Sequence, residues 1–163
     1  AFQVRLNYYV QTGKLIRVRR GIYAKDKKYD KYEFATKILR PSYISFESVL
    51  GAAGITFQYY SQIFIASYVK RELVCDGQAY SFKKMKVALL NNPAGINQAG
   101  EYAIASKERA FLDTIYRNKN YYFDNLTPLD WDKVFNILPI YNNKKMTKKV
   151  QEYYERYKAT KYT

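Results

Sequence analysis

An α+β fold is what this sequence predicts, and three features predict it. Residues 1–24 read as a helix, a stop and a short β-hairpin. Residues 62–82 are dense in Ile, Phe, Val and Tyr and are broken by Asp76-Gly77, a dipeptide suited to a two-residue hairpin turn. Segments near 107–116 and 145–161 instead carry apolar residues at the spacing of a helix with one buried face.

Taken in order, Phe2, Leu6, Tyr9 and Val10 lie at helical spacing, which leaves Gln3, Arg5 and Asn7 for other faces. Gly13 can take the left-handed conformation that ends a helix, and Gly21 the positive φ of a tight hairpin turn. Between them, Leu15, Val18 and Ile22 supply apolar anchors. Arg17, Arg19 and Arg20 put three of the chain's nine arginines into four positions. Lys25 to Lys28 form a charged connector. Asp30 is placed to cap a helix through Leu39, with Tyr32, Ala35 and Leu39 inward, and Pro41 ends it.

Residues 41–54 read as a short strand feeding a helix, capped by Ser45, with Glu47 in its first turn and Gly54 at its stop. One or two strands follow over 62–75, and a partner strand over Ala79 to Phe82. Residues 91–100 read as a loop and Tyr102 to Ala105 as a strand. Ser106 then caps a helix from Lys107 to Tyr116, buried through Ala110, Phe111 and Ile115. A short helix is expected near Trp131 to Leu138. A longer one, about Lys145 to Lys161, carries Val150, Tyr153, Tyr154 and Tyr157 on one stripe. The sharpest change of composition falls near 25–30, dividing a module of residues 1–28 from a mixed domain of 29–163.

The 163 residues carry a net charge of +14. Residues 1–40 hold eleven Lys/Arg against three Asp/Glu, residues 41–138 ten against nine, and residues 139–163 seven against two. Basic charge thus sits at the two ends and spares the middle, as on a domain with a dedicated polyanion surface. An AT-rich gene would account for many lysines but not for this clustering. Guanidinium groups at a hairpin tip suit phosphate oxygens and groove edges better than a core.

Other classes are disfavoured. The chain has no histidine, which removes the commonest general base and transition-metal ligand together. Its single Cys75 excludes an internal disulfide, fits a reducing cytosol and reads as a small core residue. No run approaches a membrane span and no leader peptide is recognisable, so a cytoplasmic protein is expected. Asp130-Trp-Asp132 has the spacing of a metal-binding pair, but no Gly-Ser dipeptide accompanies it, and Asp130 reads better as a helix cap. Glu108 with Asp113, and Glu47 with Ser48, read as helix-surface polar groups that complete local hydrogen bonds. No catalytic residue, metal or cofactor is expected.

Three segments resemble one family in its order. Gly13-Lys-Leu-Ile-Arg-Val-Arg-Arg-Gly-Ile-Tyr23 resembles the end of the winged helix-turn-helix in AbiEi-like antitoxins of type IV toxin–antitoxin (abortive infection) systems. Tyr43-Ile-Ser-Phe-Glu-Ser-Val-Leu50, with Gly54 after it, is similar to that family's YISLESAL signature. Residues 104–116 resemble its ASPEKALLDLLY element, with Lys107 where the family has the proline that presets a first helical position. The resemblance implies a partial winged helix, made of a recognition helix and a wing hairpin, with no counterpart here of the family's two preceding helices. A mixed α/β domain with a small sheet and C-terminal helices follows.

It further implies a phage-defence transcriptional regulator that represses its own operon and counteracts a nucleotidyltransferase-like toxin, a direct complex not being required. In that reading Gln3, Arg5 and Asn7 meet base edges in operator DNA, possible as a dimer, and Lys14, Arg17, Arg19 and Arg20 meet phosphate or a narrow minor groove. The alternative is an interaction protein that opposes a toxin by direct contact. The tyrosine stripe near the C-terminus reads first as a face packed on the body, then as a dimer seam. A further reading is a basic face with Lys144, Lys145, Lys148 and Lys149.

Overall fold

Residues 1–162 are described by a computed structural model of the chain. Helix α1 (Phe2–Gln11) leads into a two-stranded hairpin, β1 (Ile16–Arg19) and β2 (Ile22–Ala24). Helix α2 (Lys31–Ile38) follows, then β3 (Tyr43–Ile44), α3 (Glu47–Ala52), β4 (Ile63–Ser67), β5 (Arg71–Cys75) and β6 (Gln78–Lys84). After these come α4 (Val87–Leu90), β7 (Ile96–Ala99), β8 (Tyr102–Ala105), α5 (Lys107–Arg117), α6 (Trp131–Ile137), a 3-10 turn (Leu138–Tyr141) and α7 (Lys144–Lys161). The α+β class is as the sequence predicts.

Strands β3 to β8 form one mixed sheet in the order β5-β6-β4-β3-β8-β7. The β4–β6 and β3–β8 pairs are parallel and the other three antiparallel. All five residues of β4 are buried. Successive strand side chains alternate between faces, so both faces of the sheet are covered at its centre. Helix α2 packs against β3, β4 and β8, while α3 and α4 pack against β4 and α5 against β8. Asp76 and Gly77, both at positive φ, make the expected turn between β5 and β6.

Several caps work as expected. The Asp30 carboxylate accepts from the backbone N–H groups of Tyr32 and Glu33, Ser106 accepts from that of Arg109, and Asp130 from those of Asp132 and Lys133. Helix α7 buries Val150 and Tyr153, with Tyr154 and Tyr157 half-buried, and the rings of Tyr154 and Tyr157 lie 4.9 and 5.5 Å from that of Trp131. The packed-face reading of this stripe holds.

Four expectations are corrected. Ser45 does not cap α3: the N-cap is Phe46, with no side-chain cap bond, and the Ser45 hydroxyl donates instead to Asp113 at 2.9 Å. Residues 91–100 are not all loop, because β7 adds an edge strand there. Phe2 is not inward but 76% exposed, and α1 buries no residue fully. Glu108 and Asp113 are not surface groups; both are buried on α5, where Asp113 joins a polar cluster inside the core.

Candidate nucleic-acid interface

Helix α1 ends in a Schellman motif. The Lys14 N–H donates to the Tyr9 carbonyl at 2.9 Å and the Gly13 N–H to the Val10 carbonyl at 3.2 Å, with Gly13 at φ +77°. The chain thereby reverses into β1. Arg19 and Ile22 face each other across a two-residue turn of Arg20 and Gly21, and the register slips between Arg17 and Arg19. Ile16 and Val18 are half-buried while Arg17, Arg19 and Arg20 are exposed. Val18 and Ile22 pack against the central core, and the Cys75 thiol donates weakly to the Val18 carbonyl at 3.7 Å. The apolar side of the hairpin therefore anchors it and leaves the guanidinium groups to solvent.

Helix and hairpin are tied directly. Gln3 Nε2 donates to the Tyr23 hydroxyl at 3.1 Å and to Asn7 Oδ1 at 3.2 Å. Gln3 and Asn7, one turn apart, thus share a side of α1. Arg5, two residues from each, lies on the other side, since positions two apart on a helix do not face each other. Lys14 Nζ sits 5.9 Å from the centre of the Tyr9 ring. The structure brings Gln3, Asn7 and the hairpin together and sets Arg5 apart from them.

Among the described residues the ion pairs are Lys37–Glu33, Arg109–Asp113, Lys149–Glu152 and Lys158–Glu155. None involves Arg5, Lys14, Arg17, Arg19 or Arg20. Lys25, Lys27 and Lys28, in the connector after the hairpin, are likewise exposed and outside these pairs. The N-terminal charge is therefore uncompensated locally as well as in the count. On α7, Lys144, Lys145 and Lys148 are exposed, whereas Lys149 is held by Glu152 and lies over the Tyr153 ring.

The polar group with the most partners lies elsewhere. All five guanidinium N–H groups of Arg109 are used: Nε reaches Asp113, Nη1 the Asn92 and Ala94 carbonyls, and Nη2 the Tyr43 hydroxyl and the Leu89 carbonyl. Asp113 accepts in addition from Tyr43, Ser45 and Tyr141, so each carboxylate oxygen has two donors. Burial pushes the Asp113 carboxyl up, against the pull of Arg109 and the three hydroxyls. Burial opposes the Arg109 charge, but Asp113 and the two tyrosines outweigh it and hold its pKa above the usual arginine value. Burial first, and then Asp113, drive the phenols of Tyr43 and Tyr141 well above the ordinary tyrosine value. With all five Arg109 N–H groups and both Asp113 oxygens engaged, neither charged group is left for a substrate; the cluster locks α5 to β3, to the 3-10 turn and to residues 89–94.

Among the described residues no group of three or more acidic or cysteine side chains is placed to hold a metal ion, and no helix is long and apolar enough to cross a membrane. Asp130 is occupied as a cap. No model of a known protein family matches the sequence, and no curated protein is significantly similar to it.

Proposed function

We propose that this protein is a DNA-binding antitoxin of a type IV toxin–antitoxin system, which represses its own operon and counteracts a nucleotidyltransferase-like toxin in the cytoplasm. The observation that carries the DNA-binding reading is the hairpin: Arg17, Arg19 and Arg20 stand exposed on an apolar-anchored β-ribbon, with no acidic partner among the described residues. Helix α1 is bonded to that ribbon through Gln3 and Tyr23, which supports reading the two as a recognition helix and its wing. The toxin partner, autorepression and the system type rest on the resemblance of the three sequence segments.

In this reading phosphate contacts from Lys14 and the three arginines supply most of the affinity, and base contacts from α1 supply the preference. A gel shift with the gene's own upstream region, run at two salt concentrations against random DNA of equal length, tests it. Preferential retention of the upstream fragment is expected, weakening steeply with salt. Equal retention of both fragments overturns operator recognition, and retention of neither overturns DNA binding.

A second reading, contact with a toxin protein, is favoured by one feature of the same helix. Phe2, Val4 and Tyr8 are largely exposed on α1, apolar surface of the kind protein partners cover. Co-purification with the product of the neighbouring gene distinguishes it.

A further inference from the structure

The amide on α1 best suited to a base edge is engaged within the protein. Gln3 Nε2 has two N–H donors, and both are used, one on the Tyr23 hydroxyl and one on Asn7 Oδ1. A bidentate contact with adenine needs one of those donors, so Gln3 seats the helix on the ribbon instead of reading a base.

The face that α1 turns outward is apolar. Val4 and Tyr8, one helical turn apart, share a side and are 70% and 57% exposed. Leu6, two residues from each, falls on the opposite side and is half-buried. Phe2, one turn before Leu6, belongs to that opposite side.

Charge decides between the occupants open to this face. Residues 1–25 contain six Lys/Arg and no Asp or Glu, and none of the six is in an ion pair among the described residues. Arg5, exposed and adjacent to Val4, is one of them. An apolar strip rimmed by cations alone complements a surface whose apolar groups lie between rows of anions. The major groove of duplex DNA is such a surface: it admits a helix, its edges are phosphate, and thymine presents a C5 methyl group on its floor.

We infer that Val4 and Tyr8 read thymine, packing on C5 methyl groups in the major groove, so that the helix selects A·T base pairs by apolar contact. The inference rests on the DNA-binding reading and names what its helix recognises. Four residues of helix rise about 6 Å and one base pair about 3.4 Å, so the two contacts fall about two base pairs apart.

A gel shift of the intact chain on its gene's upstream region tests this when the fragment is also made with deoxyuridine at every thymidine. That exchange keeps pairing and charge and removes the methyl groups. The unaltered chain should bind the uracil fragment about fifteenfold more weakly, about fourfold for each of two methyl groups. Val4→Ala with Tyr8→Ala should bind both fragments alike and keep the wild-type salt dependence, since the cations are untouched. Equal binding of the two fragments by the unaltered chain overturns the thymine inference and leaves the DNA-binding reading standing, and this comparison needs no variant to fold. Binding of neither fragment overturns both. A double variant that still prefers the thymine fragment as the unaltered chain does overturns the inference, and if it has also lost co-purification with the neighbouring gene product, the face belongs to a protein partner.

Discussion

Arg109 and Asp113 lie one turn apart on α5, 3.3 Å from each other, and neither side chain has any surface in solvent. Removing one member of such a pair leaves the other charged, buried and unpaired. Asp113→Ala should therefore lower unfolding stability by about 3–5 kcal/mol, read from urea denaturation. Tyr141→Phe removes one donor of four, a hydrogen bond to a charged group, and should cost less, about 1.5–3 kcal/mol. Equal, small effects from the two would mean that the cluster does not hold α5 to the sheet.

The same cluster contributes to the response to alkali, alongside Tyr29, Tyr32, Tyr80, Tyr121 and Tyr153, whose phenols are also raised by burial. Tyr43 and Tyr141 ionise in the unfolded chain near pH 10, but their folded values are raised, so above that pH the folded state retains protons that the unfolded state has lost. Stability held below pH 10 should accordingly fall as pH rises further, by roughly 1.4 kcal/mol per pH unit for each such tyrosine. Denaturation midpoints between pH 9 and 11 measure it, and Tyr43→Phe should make the decline shallower. A midpoint that does not move over this range would show that these phenols ionise freely in the fold.

Gly95 leaves no room for a side chain. A Cβ there would stand 2.8 Å from Arg109 Cβ and Ile137 Cδ1, on a backbone at φ +71°. Gly100 has φ +59° but open space around it. Both substitutions to alanine incur the left-handed penalty of about 1–2 kcal/mol, and Gly95→Ala adds about 1–3 kcal/mol of overpacking. Thermal unfolding of the two variants should therefore separate clearly, with Gly95→Ala the lower; coincident curves would count against the tight packing of α5 on residues 89–96.

What was legible in the sequence was local. Asp30, Ser106 and Asp130 bond backbone groups two or three residues on, so a short window contains both the signal and its partner. Ser45 and Asp113 are 68 positions apart, and Tyr43 and Asp113 are 70 apart. No window relates them, and a serine before a helix reads as a cap unless a distant carboxylate claims its hydroxyl. Strand β7 escapes a sequence reading because Asn97 and Gln98 are exposed on a sheet edge, without apolar alternation. Helix α4, a single turn without a side-chain cap, leaves no signal either. At the candidate interface Gly13 and Gly21 disclose the hairpin, whereas the Gln3–Tyr23 bond that seats α1 on it spans 20 positions and appears only in three dimensions.

The hairpin arginines offer the sharpest test of the DNA reading, because their removal should alter binding without altering the fold. They are exposed and outside the ion pairs, so Arg17→Ala, Arg19→Ala and Arg20→Ala together should change stability by no more than about 0.5 kcal/mol per site. Each phosphate that a protein neutralises contributes about 0.9 to the slope of log affinity against log salt. If all three arginines meet phosphate, the slope of the triple variant should be shallower by about 2.7. Gln3→Ala should leave the slope nearly intact but loosen α1 from the ribbon, and so reduce preference for the upstream fragment over random DNA. A triple variant with the wild-type slope would place the phosphate contacts elsewhere, on Lys25, Lys27 and Lys28 or on the exposed lysines of α7.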